Sequence, residues 1–270
     1  MPNLLPTIVA FVAYALLAVY FWRAYATGSC DERCRGVIGH LSLIPIALHG
    51  YLLWQWIFSG GGVDLGVFNA LSLIAWLTLL VYWVARFFYP IGGLQALVLP
   101  LAAITLLPPL VFTNDHQLTH TDMPVFKVHI AVAMLAYSLF TIAMLHAVLI
   151  SLVEKYLHQA NLPRVLRSLP PLLTMESLLF RMIGIGFVLL TLTLISGVFF
   201  SEEIFGKVGQ LNHKVLFGFF SWVVFAVLLC GHRFYGWRGK TAVRWTVSGF
   251  ALLLLAYLGS KFVLEQLLHR

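Results

Sequence analysis

Long apolar stretches, closed off by turn-forming or charged residues, dominate the chain. Eight can be drawn: Leu4–Trp22, Val37–Phe58, Gly66–Phe88, Leu94–Phe112, Phe126–Val153, Leu178–Phe200, Val215–Gly231 and Ala242–Leu264. A bilayer-crossing helix needs roughly 20 apolar residues, because each adds ~1.5 Å towards a hydrocarbon core of ~30 Å. Each stretch reaches or approaches that length. Between them fall Gly60-Gly61-Gly62, Pro90, Pro124, Pro163 and Pro170-Pro171, residues that break helices or make turns. No gap is long enough for a folded soluble domain, and no internal repeat is visible. The pattern predicts an all-α polytopic membrane protein, a single domain over residues 1–270 with eight transmembrane helices. Met1-Pro2-Asn3 lacks the basic start of a signal peptide, so the first apolar stretch is expected to be retained.

Composition narrows the class. The chain is 61% hydrophobic and 10% charged, against about a quarter charged in water-soluble domains. That excludes a soluble enzyme, a disordered tail and a nucleic-acid binder, despite the net charge of +7. Orientation follows from where the cations fall, because cytoplasmic loops retain Lys and Arg. With the N-terminus outward, twelve lie inside: Arg23, Arg33, Arg35, Arg86, Lys155, Arg164, Arg167, Arg181, Arg233, Arg238, Lys240 and Arg244. Five lie outside, namely Lys127, Lys207, Lys214, Lys261 and Arg270, alongside Asp64, Asp115, Asp122, Glu202 and Glu203. Both termini are therefore expected on the outer side, the periplasm of a Gram-negative cell. The net charge then reads as an inner surface facing the anionic headgroups of its first partner, the lipid bilayer.

Cys30 and Cys34 fall in an expected cytoplasmic loop, where thiols stay reduced, and no nearby histidine completes a metal site; their role stays open. Cys230, near the inner end of the seventh stretch, is expected to pack. No Cys-x-x-Cys-His is present, so the chain is not itself a c-type cytochrome. Phosphate loops, Ser-His-Asp order and His-Glu-x-x-His are also absent, and no catalytic residue is assigned.

Ten histidines carry more information, because an ionisable residue at membrane depth usually has a task. His129 opens the fifth stretch and His213 precedes the seventh, both at the expected outer face. His49 sits mid-span, four residues after Pro45, while His40, His146, His158 and His232 fall towards the cytoplasm. A bis-histidine haem site needs two neutral imidazoles facing one another from helices of fixed orientation. His129 with His213 meets the depth requirement, and His49 lies one or two turns deeper. Protonation near the ordinary pKa of ~6.5 would weaken such a site in acid. A zinc or copper site, or a small-cation pathway, would instead use His116-x-x-x-His120 with Asp115 or Asp122. The remaining alternative is that the histidines cap helices or hydrogen-bond between them. Trp54-Gln55-Trp56 reads as an interfacial aromatic belt.

The stretch from His129 to Ser138, HIAVAMLAYS, resembles the histidine-led fifth span of the cytochrome c assembly membrane proteins, the CcsA/HemX-like group, and within it the YpjD-like inner-membrane branch. Residues 186–194, His213-Lys214, Ser221-Trp222, Gly231-His232, Gly236-Trp237-Arg238-Gly239 and residues 256–262 follow in that branch's order. The resemblance implies a multi-pass inner-membrane protein that handles haem b, together with cytochrome c maturation or tetrapyrrole-pathway proteins. It adds His232 to the candidate cofactor-binding residues His129, His213 and His49, and sets Lys214 where larger relatives end a tryptophan-rich segment. Here the outer loop, residues 201–212, holds no tryptophan, and only His269 follows the last span. Haem binding or transit is therefore expected rather than synthase activity; a HemX-like scaffold acting through a soluble partner is the alternative. In the Gly-Trp-Arg-Gly turn, the glycines are expected to supply positive φ and Trp237 and Arg238 to anchor the interface.

The orientation is directly testable. Reporter fusions at Gln159, Gly206 and the C-terminus should read inside, outside and outside; a cytoplasmic C-terminus would overturn the charge argument and the sorting of the histidines.

Overall fold

The computed structural model describes residues 3–27, 36, 39–58, 63–89, 93–112, 117–118, 123–158, 163, 166, 169–205 and 213–259. His116, His120, Cys30, Cys34, His269 and the loop 206–212 lie outside the described residues. The helices are α1 (Leu4–Thr27), α2 (Leu43–Phe58), α3 (Val67–Ala85), α4 (Gln95–Thr105), α5 (Pro108–Val111), α6 (Pro124–His158), α7 (Leu172–Phe205), α8 (His213–Tyr235) and α9 (Gly239–Leu254). A π turn, Leu255–Gly259, prolongs α9. One small antiparallel pair, β1 (Val63–Asp64) with β2 (Gln117–Leu118), ties two connections together, Val63 opposite Leu118.

Six of the described helical segments are long and apolar enough to cross a membrane: Leu4–Thr27, Gly39–Phe58, Val67–Ala85, Pro124–Leu157, Leu172–Phe199 and Lys214–Tyr235. The chain is an all-helical, multi-pass membrane protein. The fourth expected span, Leu94–Phe112, is interrupted. Pro108 and Pro109 have no N–H to give the preceding turn, so the helix tightens at Leu106 and Leu107, whose N–H groups reach back only three residues. From Gln95 to Val111 the apolar segment still runs on, about 25 Å at 1.5 Å per residue, as α4 followed by α5. The eighth stretch begins three residues early, at Gly239, and leaves α-geometry at Leu255. Pro124, expected between spans, instead opens α6, where a missing N–H does no harm.

The burial pattern follows from lipid as the solvent. On α1, Ala10, Tyr14, Ala18 and Phe21 face inward, whereas Leu5, Ile8, Leu16 and Trp22 face outward. Lipid tails are as apolar as leucine, so hiding leucine gains little, and helices associate where small side chains permit close packing. The most extensive helix pair is α6 with α7, and α6 also packs on α3 and α9. At its centre Phe140 of α6 stacks on Phe225 of α8, centroids 4.1 Å apart and planes at 21°. Glycine lies against each ring. A Cβ on Gly186 of α7 would stand 3.2 Å from Phe140, and one on Gly249 of α9 would stand 2.8 Å from Phe225. Ser221 of α8 adds a polar tie, donating to the Gly249 carbonyl at 2.8 Å.

Contacts between connections fall into two sets. At one end Tyr25 donates to Gln95 at 3.1 Å, Arg86 donates to the Gly36 carbonyl at 3.2 Å, and Gly239 N–H donates to Glu176 at 2.9 Å. At the other, β1 pairs with β2, Phe68 stacks on Phe112 at 4.7 Å, and Tyr257 donates to the Leu65 carbonyl at 3.0 Å. The Gly236–Gly239 turn has positive φ at both glycines, 67° and 53°. Trp237 does more than sit at an interface: it packs over Gly231 and lies 5.4 Å from Trp245. Cys230 is exposed on α8 rather than packed, because the face it occupies turns away from the bundle.

The glycine contacts set up an opposed pair of substitutions. Gly249→Ala should destabilise the detergent-solubilised protein by about 1–3 kcal/mol through overpacking against Phe225. Gly184→Ala meets nothing within 4 Å and should be neutral or stabilising by up to about 1 kcal/mol from helix propensity. Thermal unfolding followed by tryptophan fluorescence checks both; equal effects would contradict the packing.

Candidate functional site

A polar group at membrane depth needs partners, because hydrocarbon offers none. The histidines meet that need to different degrees, and Nδ1 of the buried His146 finds no partner among the described residues. His49 is fully buried, with Nε2 2.9 Å from Ser72 Oγ and Nδ1 3.4 Å from Tyr14 Oη. Tyr14 and Ser72 are themselves fully buried, so the three residues link α1, α2 and α3. His232 is stacked on Phe180, centroids 3.5 Å apart, and its Nδ1 lies 3.0 Å from the Trp237 carbonyl. It stands nineteen residues beyond His213 on α8, about 28 Å along the axis at 1.5 Å per residue. His146 places Nε2 3.0 Å from the Met175 carbonyl, between α6 and α7.

His129 is placed otherwise. It lies in the second turn of α6, half-buried, with Nδ1 2.7 Å from Ser196 Oγ on α7. Phe126, one turn earlier, lies parallel to the imidazole at 6.3 Å and 13°. The ring lines a half-open cavity of about 520 Å³ between α6, α7, α8, α9 and the π turn, with Leu65 at its side. The walls are largely aliphatic, among them Leu190, Leu194, Val215 and Leu253. The polar lining groups are His129, Tyr137, Thr193, Lys214 and Tyr257, and among the described lining residues Lys214 carries the one permanent charge.

Both phenols are tied down. Tyr137 donates to the Leu253 carbonyl at 2.8 Å, and Tyr257 donates to the Leu65 carbonyl at 3.0 Å. Their rings stand 6.1 Å apart. These bonds tie the end of α9 to α6, and the π turn to the connection after β1. π turns recur at functional sites because they re-aim side chains within an otherwise regular helix.

The structure therefore brings His129 and Lys214 to one cavity. His213, the first residue of α8, immediately precedes Lys214 in the chain. His49 lines neither this cavity nor a second one of about 440 Å³, which contains Trp54, Trp76 and Lys127 and shares Leu65, Ile130 and Met134 as a common wall. Ser196 and the two tyrosines gave no separate signal in the sequence. A serine in a helix can satisfy itself on its own backbone, as Ser196 also does by donating to the Leu192 carbonyl at 2.7 Å, so its contact with His129 is visible only in three dimensions.

The chain matches the family described as Cytochrome C assembly protein over residues 37–268, which include every helix around the cavity. Inner membrane protein YpjD of Escherichia coli (strain K12) is 35% identical over 158 residues, 58% of this chain and 59% of that protein. This alignment therefore spans less than two thirds of that relative's length. Cytochrome c biogenesis protein CcsA of Prochlorococcus marinus (strain MIT 9515) is 25% identical over 251 residues, 82% of this chain and 79% of that protein. With its match running from before α2 to beyond the π turn, this chain belongs to the cytochrome c assembly protein family.

Proposed function

We propose that the protein is an inner-membrane haem-handling member of this family, holding or passing haem b near its outer face. In this reading eight segments cross the membrane and both termini face outward. The observation that carries it is the His129 cavity. Its volume of about 520 Å³ lies within the ~300–1,000 Å³ typical of small-molecule sites. An apolar macrocycle with two carboxylates asks for apolar walls, an imidazole for the metal and a cation for a carboxylate. The aliphatic walls, His129 and Lys214 answer those three requirements.

His129 is the first ligand in this reading. His213 is the favoured second, because it starts the helix whose next residues, Lys214 and Val215, line the cavity. His49 is less suited: both of its ring nitrogens already face hydroxyl groups, and replacing those contacts would leave Tyr14 and Ser72 unsatisfied at depth. His232 belongs to the opposite end of α8 and serves the Trp237 turn. Haem supplies the iron that the imidazoles would bind; the chain supplies orientation, exclusion of water and a neutralising charge. Cytochrome c maturation proteins are the natural partners of such a role.

The test is reconstitution with haemin, followed by oxidised and reduced visible spectra. Wild type should take up haemin stoichiometrically and give a six-coordinate low-spin spectrum. His129→Ala should lose it, His213→Ala should lose the sixth ligand, and His49→Ala should keep the spectrum while unfolding at lower temperature. Absence of stoichiometric uptake, or one unchanged spectrum across all variants, would favour instead a HemX-like scaffold in which these histidines only hold helices together.

A further inference from the structure

The position of one proton can be read from the contacts around His129. Ser196 Oγ lies 2.7 Å from the Leu192 carbonyl oxygen and 3.1 Å from that of Thr193. A hydroxyl oxygen and a carbonyl oxygen come within 2.7 Å only with a proton between them, since that is an ordinary O–H···O separation. Neither carbonyl has a proton to give. The single hydroxyl proton of Ser196 is therefore committed to its own helix, and its oxygen has only lone pairs left. His129 Nδ1 stands 2.7 Å from that oxygen, so Nδ1 must be the donor.

We infer that Ser196 is a positioning residue that holds neutral His129 in the Nδ1–H tautomer and so keeps the lone pair on Nε2. An isolated histidine in water prefers the opposite tautomer, so the contact reverses the intrinsic preference. It also restricts rotation of the ring: Nδ1 is tethered to α7, and Phe126 lies parallel to the ring. Ring nitrogens that bind metals are prepared in this way in general, the second nitrogen being fixed by a hydrogen bond. Gly197, the residue after Ser196, is compatible with the approach, because a Cβ there would meet the His129 ring at an ordinary 3.6 Å.

The inference rests on the haem reading for its ligand, but not for its test. In detergent-solubilised protein with 15N-labelled histidine, the His129 ring signals, assigned with His129→Gln, should show Nδ1 protonated and Nε2 unprotonated at neutral pH. Ser196→Ala should move the proton towards Nε2. Ser196→Thr, which keeps the hydroxyl and its backbone bond, should restore the wild-type pattern. Haemin affinity should fall about tenfold in Ser196→Ala and return in Ser196→Thr. A wild-type ring protonated on Nε2 overturns the inference, and so does a tautomer that ignores Ser196→Ala. The predicted tautomer in a wild type that takes up no haemin would leave the role of Ser196 standing and overturn the haem reading instead.

Discussion

Close approach of helices in the absence of water is the constraint on which this structure depends. A soluble protein draws helices together by hiding leucine from solvent, whereas here leucine is as well accommodated in lipid as in the interior. Contact between smooth surfaces must then supply the attraction, and α6 can touch its neighbours only where side chains leave room. The Phe140–Phe225 stack, with Gly186 at the tip of one ring and Gly249 at the tip of the other, is the clearest instance. The large interlocked surface sits at the centre, and the residues with nothing to add to it are glycines.

That packing also decides which polar groups can be functional. Two histidines, His49 expected one or two turns deeper than His129, have different surroundings because different helices close over them. His49 lies where α1, α2 and α3 converge and is enclosed by the hydroxyls of Tyr14 and Ser72. His129 lies where α6 to α9 diverge around a cavity, with one nitrogen tied to Ser196. Two tyrosine bonds flank that cavity, one from α6 to the end of α9 and one from the π turn to the connection after β1. A cavity lined by hydrocarbon and provided with one imidazole and one ammonium group suits an amphiphilic, metal-bearing ligand better than a bare cation.

The membrane class and the position of most helices were legible in the amino-acid order, because hydropathy sums over twenty residues and tolerates local error. The family was legible too, through residues 129–138 and the Gly-Trp-Arg-Gly turn. The fourth helix shows the limit of such sums. Its hydropathy reads as one crossing, yet Pro108 and Pro109 withhold two hydrogen bonds and the helix breaks there. Cys230 shows another limit, since an apolar helix gives little indication of which side meets lipid.

The sequence by itself determined a lipid-embedded helical chain, because its composition leaves no polar surface for water, and it determined that histidines are the residues to question. Only the tertiary structure decided which histidine faces a cavity and which closes a packed junction. The reason is that a hydrogen bond such as His129 to Ser196 joins residues sixty-seven apart in the chain, and no local pattern encodes the separation of two helices. The partner that fixes a ring nitrogen is chosen by where α6 and α7 come to rest against each other.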